Sequence, residues 1–225
     1  MVTGQEFKDL YWHQYLMIEE DFLSTRLYLE IEHDNADAYS SYYRRLILEI
    51  GSEVDVCCKA LCKSIGASDA KSIGAYGKAI CAKNVGFPLV AVEFELGASR
   101  HAFNPWDAWA TPGISKKGGT VYNPPSWWTV YNKLKHQRAD TLEIDGVKKK
   151  CHEFASQKYL LRALAGLFQV EAYHYREVIG PSTNNSLQTP TPGSRIFHLS
   201  GQGWDKVPHP VGNGPVVVGT TLVLS

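Results

Sequence analysis

Residues Pro124–Arg138 read PPSWWTVYNKLKHQR. Two prolines followed by Ser126 form a helix-start signal, because proline fits the first turn but not the interior and a serine hydroxyl can satisfy orphan amides. The pattern predicts a helix that starts near Trp127, with Ser126 as its cap, and runs to about Ala139. Residues three and four apart are neighbours on such a helix. Trp127, Tyr131 and Leu134 therefore share one face, and Trp128, Asn132 and His136 share the next. Asn132 and His136 sit side by side, walled by an indole, while Lys133, Lys135 and Arg138 surround them with positive charge that attracts anions such as phosphate.

Upstream, residues 3 to 30 carry a helix pattern. Thr3 and Glu6 suit a capping box, and Phe7, Leu10, Tyr11, Ile18, Phe22 and Leu29 follow three-and-four spacing. A second periodic segment, from about Asp37 to Lys63, places Tyr39, Tyr43, Leu46, Ile50, Cys57 and Leu61 on its apolar stripe, with Glu49 and Glu53 along the margin. A shorter third helix, capped by Ser68 or Asp69, is expected to end near Asn84–Gly86. Residues 87 to 126 break this rhythm: Leu89 to Leu96 alternates in part, and Gly, Pro and Trp follow, which predicts an inserted β-element and loop.

Downstream, a charged turn (Asp145-Gly146, then Lys148 to Lys150) leads into a long helix from about Lys150 to Ile179. Phe154, Leu161, Leu164, Phe168 and Tyr175 lie on one face of it, and Gly180-Pro181 stops it. Residues 181–193, rich in Pro, Ser, Thr and Asn, read as a linker. Within 194–225, Arg195–Leu199 and Val216–Leu224 predict two short strands of a small β-rich appendage. The organisation expected is thus a helical domain over 1–180 with an insertion at 87–126, a linker, and a β-rich tail.

Composition narrows the function classes. Of the 225 residues 44% are hydrophobic, enough for a substantial core. Lys plus Arg and Asp plus Glu both number 23, so no global field recruits nucleic acid or an anionic membrane, and any such contact must be local. No apolar run approaches the roughly 20 residues that span a bilayer, and no basic-then-apolar leader opens the chain, so a cytoplasmic protein without membrane contact is expected. The cysteine count of five is odd, and three lie on one helical segment, which predicts reduced thiols. His152 beside Cys151 is the one Cys/His neighbour pair, too little for zinc, and no metal or cofactor is expected.

WWTVYNKLKHQR, together with the later LLRALAGLFQVEAYHY, resembles a widespread bacterial family of HEPN-like helical proteins (higher eukaryotes and prokaryotes nucleotide-binding). Asn104-Pro105-Trp106 and the segment holding Ser52 to Asp55 and Lys59 suit the same pattern, so the resemblance spans roughly residues 5 to 180. It implies a mainly α fold, an antiparallel helical bundle that forms a homodimer, and an RNA or nucleotide ligand. The family also occurs in antiphage and toxin–antitoxin systems, which implies a cognate antitoxin or defence partner. Its signature, an Arg followed after four to six residues by His, falls here on Tyr131 and His136, with Asn132 at the polar position. On that resemblance His136 would act as general acid or base, with Glu53 (or Glu49) orienting it, and Lys133, Lys135, Arg138 and Tyr131 would meet RNA phosphate. Tyr131 departs from the pattern, because a neutral phenol stabilises phosphate charge far less than a guanidinium. Three readings stay open: RNA or nucleotide binding with a degenerate motif, metal-independent RNA cleavage, and a non-catalytic interaction module.

Several weaker patterns are set aside. Gly74–Lys78 lacks the first glycine and the hydroxyl of a phosphate loop, since Ser72 and Ala79 hold those positions. Trp127 and Trp128 suit core packing better than base stacking. His13, His33, His101, His174, His198 and His209 show no partner in the sequence.

Overall fold

The computed structural model describes residues 2–116, 118–180, 189–201 and 204. It is mainly helical, with small sheets. The capping box forms as its residues dictate: Glu6 N–H donates to Thr3 Oγ1 (3.2 Å) and Thr3 N–H to the Glu6 carboxylate (2.7 Å). The first rod comprises α1 (Gly4–Phe7), a π-turn at Lys8–Trp12, and α2 (His13–Ser24). The wider π-turn carries the five-residue step from Phe7 to Trp12 onto one face, so Trp12, Tyr15 and Ile18 point inward. Leu10, expected on the stripe, is left 63% exposed. The rod also ends before residue 30. Ser24 and Thr25 hydroxyls donate back to the carbonyls of Asp21 and Phe22, and the chain tightens into a 3-10 turn at Thr25–Leu27.

α3 (Ser41–Ser64) begins later than its periodicity suggested, because Ser40 Oγ caps it by accepting from Tyr43 N–H. Tyr39 therefore lies outside the helix, half exposed. α4 (Ile73–Lys83) takes Ser72 as cap rather than Ser68 or Asp69. Next come β1 (Ala91–Leu96) and β2 (Ser99–Phe103), a hairpin turned at Gly97 with φ 61°. β3 (Gly113–Ile114) and β4 (Thr120–Val121) form a short second ladder.

α5 (Ser126–His136) is the quoted segment, starting one residue and ending three residues earlier than expected. Ser126 is its first helical residue rather than its cap, and its hydroxyl donates to Asp145 instead. Asp145 also accepts from Tyr159 O–H at 3.0 Å. This carboxylate belongs to the turn between β5 (Thr141–Ile144) and β6 (Val147–Lys150), where Asp145 and Gly146 both have positive φ, 52° and 73°. The charged turn of the sequence is thus a tight hairpin of the Asp-Gly kind, pinned between the starts of two helices.

α6 (Gln157–Ile179) is the axis of the molecule: α3 makes its most extensive contact along it, and nearly every residue from Tyr159 to Tyr175 is buried. It starts seven residues after Lys150. A 3-10 turn at Cys151–Phe154 intervenes, and the Gln157 and Lys158 amides then donate to the carbonyls of Ala38 and Ala36. Gly180, at φ 74°, ends it.

The expected tail is continuous with the expected insertion. β7 (Phe197–Ser200) pairs antiparallel with β1, giving the sheet order β2-β1-β7, with Phe94 opposite His101 on one side and Phe197 on the other. Val216–Leu224 and most of the expected linker lie outside the described residues. Among the described residues no helix is long and apolar enough to cross a membrane.

α5 is seated by two glycines. A Cβ on Gly51 of α3 would fall 2.2 Å from the Tyr131 ring, and one on Gly166 of α6 would fall 2.9 Å from the Trp127 indole. Both helices thus accept an aromatic face directly against backbone. Gly51→Ala is expected to destabilise the protein by about 1–3 kcal/mol, since the clashing atoms belong to a locked ring in a packed seam. Urea unfolding monitored by tryptophan fluorescence checks this; an unchanged midpoint would mean that α5 does not rest on Gly51.

Candidate functional site

Five of the eleven α5 residues point inward: Trp127, Trp128, Val130, Tyr131 and Leu134. Trp127 donates its indole N–H to the Pro105 carbonyl at 2.7 Å and meets Trp106 edge-on at 5.0 Å. Both tryptophans are core, unavailable for stacking on bases. Tyr131 is 7% exposed, packed against Trp128 at 5.0 Å and against Gly51. The position that the family resemblance assigns to a cation is therefore a packing position.

The opposite side of α5 is polar and open. Asn132 is half-buried, and His136 closes the helix as an exposed residue. Lys133 Nζ donates to Gln137 Oε1 (2.7 Å), Arg138 Nε donates to the Leu134 carbonyl (3.0 Å), and Lys135 lies over the Tyr131 ring at 5.8 Å. The β5–β6 hairpin that follows carries Lys148, Lys149 and Lys150. Its exit at Cys151 is close enough for Lys133 and Arg138 to act on that thiol electrostatically. Among the described residues, Lys133, Lys135, Arg138, Lys148 and Lys150 form no ion pair, and Lys149 alone reaches a carboxylate, Asp37, at 3.7 Å. The face carries unneutralised positive charge, which also suits the negative end of the α5 dipole.

Glu53 does not join this face. It follows Gly51 by two residues, about 200° around α3, so it lies opposite the Tyr131 contact. There burial and the neighbouring Glu49 raise its pKa. Glu49 accepts from Gln14 of α2 and faces Arg45. Neither glutamate has a hydrogen bond to His136 among the described residues.

What Glu53 adjoins is a polar seam that went unnoticed in the sequence. Glu171, 1% exposed, accepts from the Cys57 thiol at 3.5 Å through Oε1, while Oε2 has no partner. Burial pushes its carboxyl up to about 8. His174, one turn on, is wedged against Phe7 and Tyr11 with Nδ1 unpartnered, and burial pushes it down to about 4. Both groups are therefore neutral at pH 7, which is how a core tolerates them. The signal was visible as a glutamate and a histidine at three-residue spacing inside VEAYHY. All five cysteines are free and buried, and burial raises every thiol, Cys62 to about 11 and Cys81 to about 12, so none is a ready nucleophile.

The seam sets a pH dependence. Glu171 binds its proton more tightly folded than unfolded, so its contribution to stability falls as pH rises from its ordinary 4.5 through about 8. His174 binds its proton less tightly folded, so stability is lost as pH falls from its ordinary 6.5 through about 4. Stability should accordingly decline from about pH 6.5 to 8, and Glu171→Gln should flatten that decline. Thermal melts of both proteins across this range check it; a parallel decline would remove Glu171 as the cause. The chain matches no family model, no curated protein and no solved structure.

Proposed function

We propose that this protein binds RNA or a nucleotide through the open face of α5 and the β5–β6 hairpin, without cleaving it. The observation that carries the reading is local: Lys133, Lys135 and Arg138 stand at the end of α5 and Lys148 and Lys150 on the hairpin that follows it, five cations with no ion pair among the described residues, in a chain whose total charge is zero. A polyanion is the ligand class that such a patch selects, because in a chain of zero net charge the attraction must come from a local cluster. The resemblance of WWTVYNKLKHQR to HEPN-like sequences, which implies a helical homodimer working beside a defence or antitoxin partner, points to the same ligand.

Cleavage has less support. A packed phenol holds the arginine position, and among the described residues no carboxylate forms a hydrogen bond or ion pair with the exposed His136. Tyr131→Arg would not restore a catalytic cation. It would place a guanidinium against Gly51 and Trp128, and is expected to lower stability by at least about 2 kcal/mol.

Two measurements test the reading. In filter binding with a single-stranded RNA pool, affinity should fall steeply with salt, and Lys135→Glu with Arg138→Glu should weaken it by about tenfold or more and shallow the salt slope. Binding that ignores both salt and these charges would overturn the proposal. His136→Ala should leave the melting temperature unchanged, since the side chain is exposed. In an EDTA-treated RNase assay wild type and variant should be equally inert, whereas a loss of about 100-fold in the variant would establish His136 as an acid–base group.

A further inference from the structure

Two departures from the helix pattern frame one surface. The first rod ends at Ser24 and tightens into its 3-10 turn, while α3 waits for the Ser40 cap, so Leu27, Tyr28 and Tyr39 are left outside the two helices. A cavity of about 510 Å³ opens between them, lined by leucine, tyrosine, serine and threonine side chains of residues 24–29 and 39–43. Leu27 and Tyr28 are 81% and 90% exposed, and Tyr39 and Tyr42 about half. Single exposed apolar side chains are ordinary, but four around one cavity of ligand size mark a binding surface. We infer that this cavity binds a proline-rich peptide in the extended polyproline conformation.

The charge of the wall decides the class of ligand. Among the described residues no charged side chain lines the cavity. The charges that neighbour it in sequence are paired with one another, Arg26 with Glu30 at 3.5 Å and Arg45 with Asp21 at 2.5 Å. A charged ligand would therefore lose water without gaining a counter-ion, which excludes nucleic acid and free phosphate. Tyrosine faces attract cations, but Arg45 already lies over the Tyr42 ring at 4.6 Å. Two rings are also fixed from behind, Tyr42 by that guanidinium and Tyr39 by its edge-on contact with His152 at 5.9 Å, so little order remains to be imposed on binding.

The hydrogen-bonding groups narrow it further. Ser24 and Thr25 spend their hydroxyl protons on the carbonyls of Asp21 and Phe22, and Ser40 Oγ accepts from the Tyr43 amide. What remains are the phenols. Tyr43, which is buried, accepts from Gln157 Nε2 at 3.4 Å and keeps its own proton to donate. No carboxylate or amide side chain of the described residues lines the cavity, so a ligand rich in N–H or O–H donors, such as an ordinary peptide or a sugar, finds few acceptors. Proline inverts that balance: each residue presents a carbonyl and no N–H, on an apolar ring that packs against aromatic faces. The polyproline helix is also extended and carries no internal hydrogen bonds, so its carbonyls reach the phenols without first being freed.

The inference does not rest on RNA binding at α5, and its test keeps the two apart. Calorimetric titration of the full chain with acetylated, amidated hexaproline, up to about 1 mM, should show saturable binding that does not change with salt, whereas a blocked Gly-Ser hexapeptide should show none. Tyr28→Ala and Leu27→Ser remove groups that already stand in water, so each should keep the wild-type melting temperature yet weaken hexaproline binding by about tenfold. The Lys135→Glu, Arg138→Glu variant should bind hexaproline like wild type whether or not it binds RNA. No saturable binding of hexaproline, equal binding of the Gly-Ser peptide, or wild-type affinity in both Tyr28→Ala and Leu27→Ser would overturn the inference. So would self-association of the wild type that Tyr28→Ala abolishes while hexaproline gives no heat, since the surface would then belong to a second copy.

Discussion

Two missing side chains hold this molecule together. Because Gly51 and Gly166 carry no Cβ, Tyr131 and Trp127 lie flat against the backbones of α3 and α6, and α5 bridges the pair that forms the core. The indoles then complete the seam with hydrogen bonds: Trp127 to Pro105, and Trp106 to the carbonyl of Gly166 itself. Once those rings are fixed, helical geometry leaves Asn132, Lys133, Lys135 and His136 nowhere to point but outward. The same contact that builds the core thus builds the charged face.

The interior handles two carboxylates in opposite ways. Glu19 is surrounded by donors: the Tyr15 hydroxyl at 2.6 Å, the Ser194 hydroxyl, and the Arg195 amide at 2.8 Å. Glu171 has one weak thiol donor and keeps a proton instead. The first arrangement ties distant chain segments together through directed bonds. The second lets the α3–α6 seam stay dry at the cost of a stability that declines toward alkaline pH.

Legibility in the sequence followed the range of the causal contact. The Thr3 capping box, the Gly180 stop and the inward face of α5 depend on residues within a turn or two, and all stood in the sequence. Ser126 was legible as a helix-start residue but not as a donor to Asp145, because its partner lies nineteen residues away. Likewise the start of α6 is set by carbonyls at Ala36 and Ala38, which no local pattern announces. The π-turn was hidden for a different reason: a five-residue apolar step looks like noise to a search for three-and-four spacing. At the candidate site, the cations of α5 were readable, whereas the separation of Glu53 from His136 required knowing which side of α3 meets Tyr131. Asp145-Gly146 carried a hairpin signal that the run of lysines after it obscured.

The Glu19 clamp has a bearing on solubility. Ser194 Oγ, bonded to Glu19, also accepts from the amides of Ile196 and Phe197, so this one carboxylate positions the turn that launches β7. β7 in turn covers the edge of β1 that β2 leaves open. An uncovered edge there would present a row of free amides and carbonyls beside Phe94, a template for pairing with another chain. A buried acid on the first helical rod, through Ser194, 175 residues further along the chain, thereby keeps the Phe94 strand in the middle of its sheet rather than at an edge.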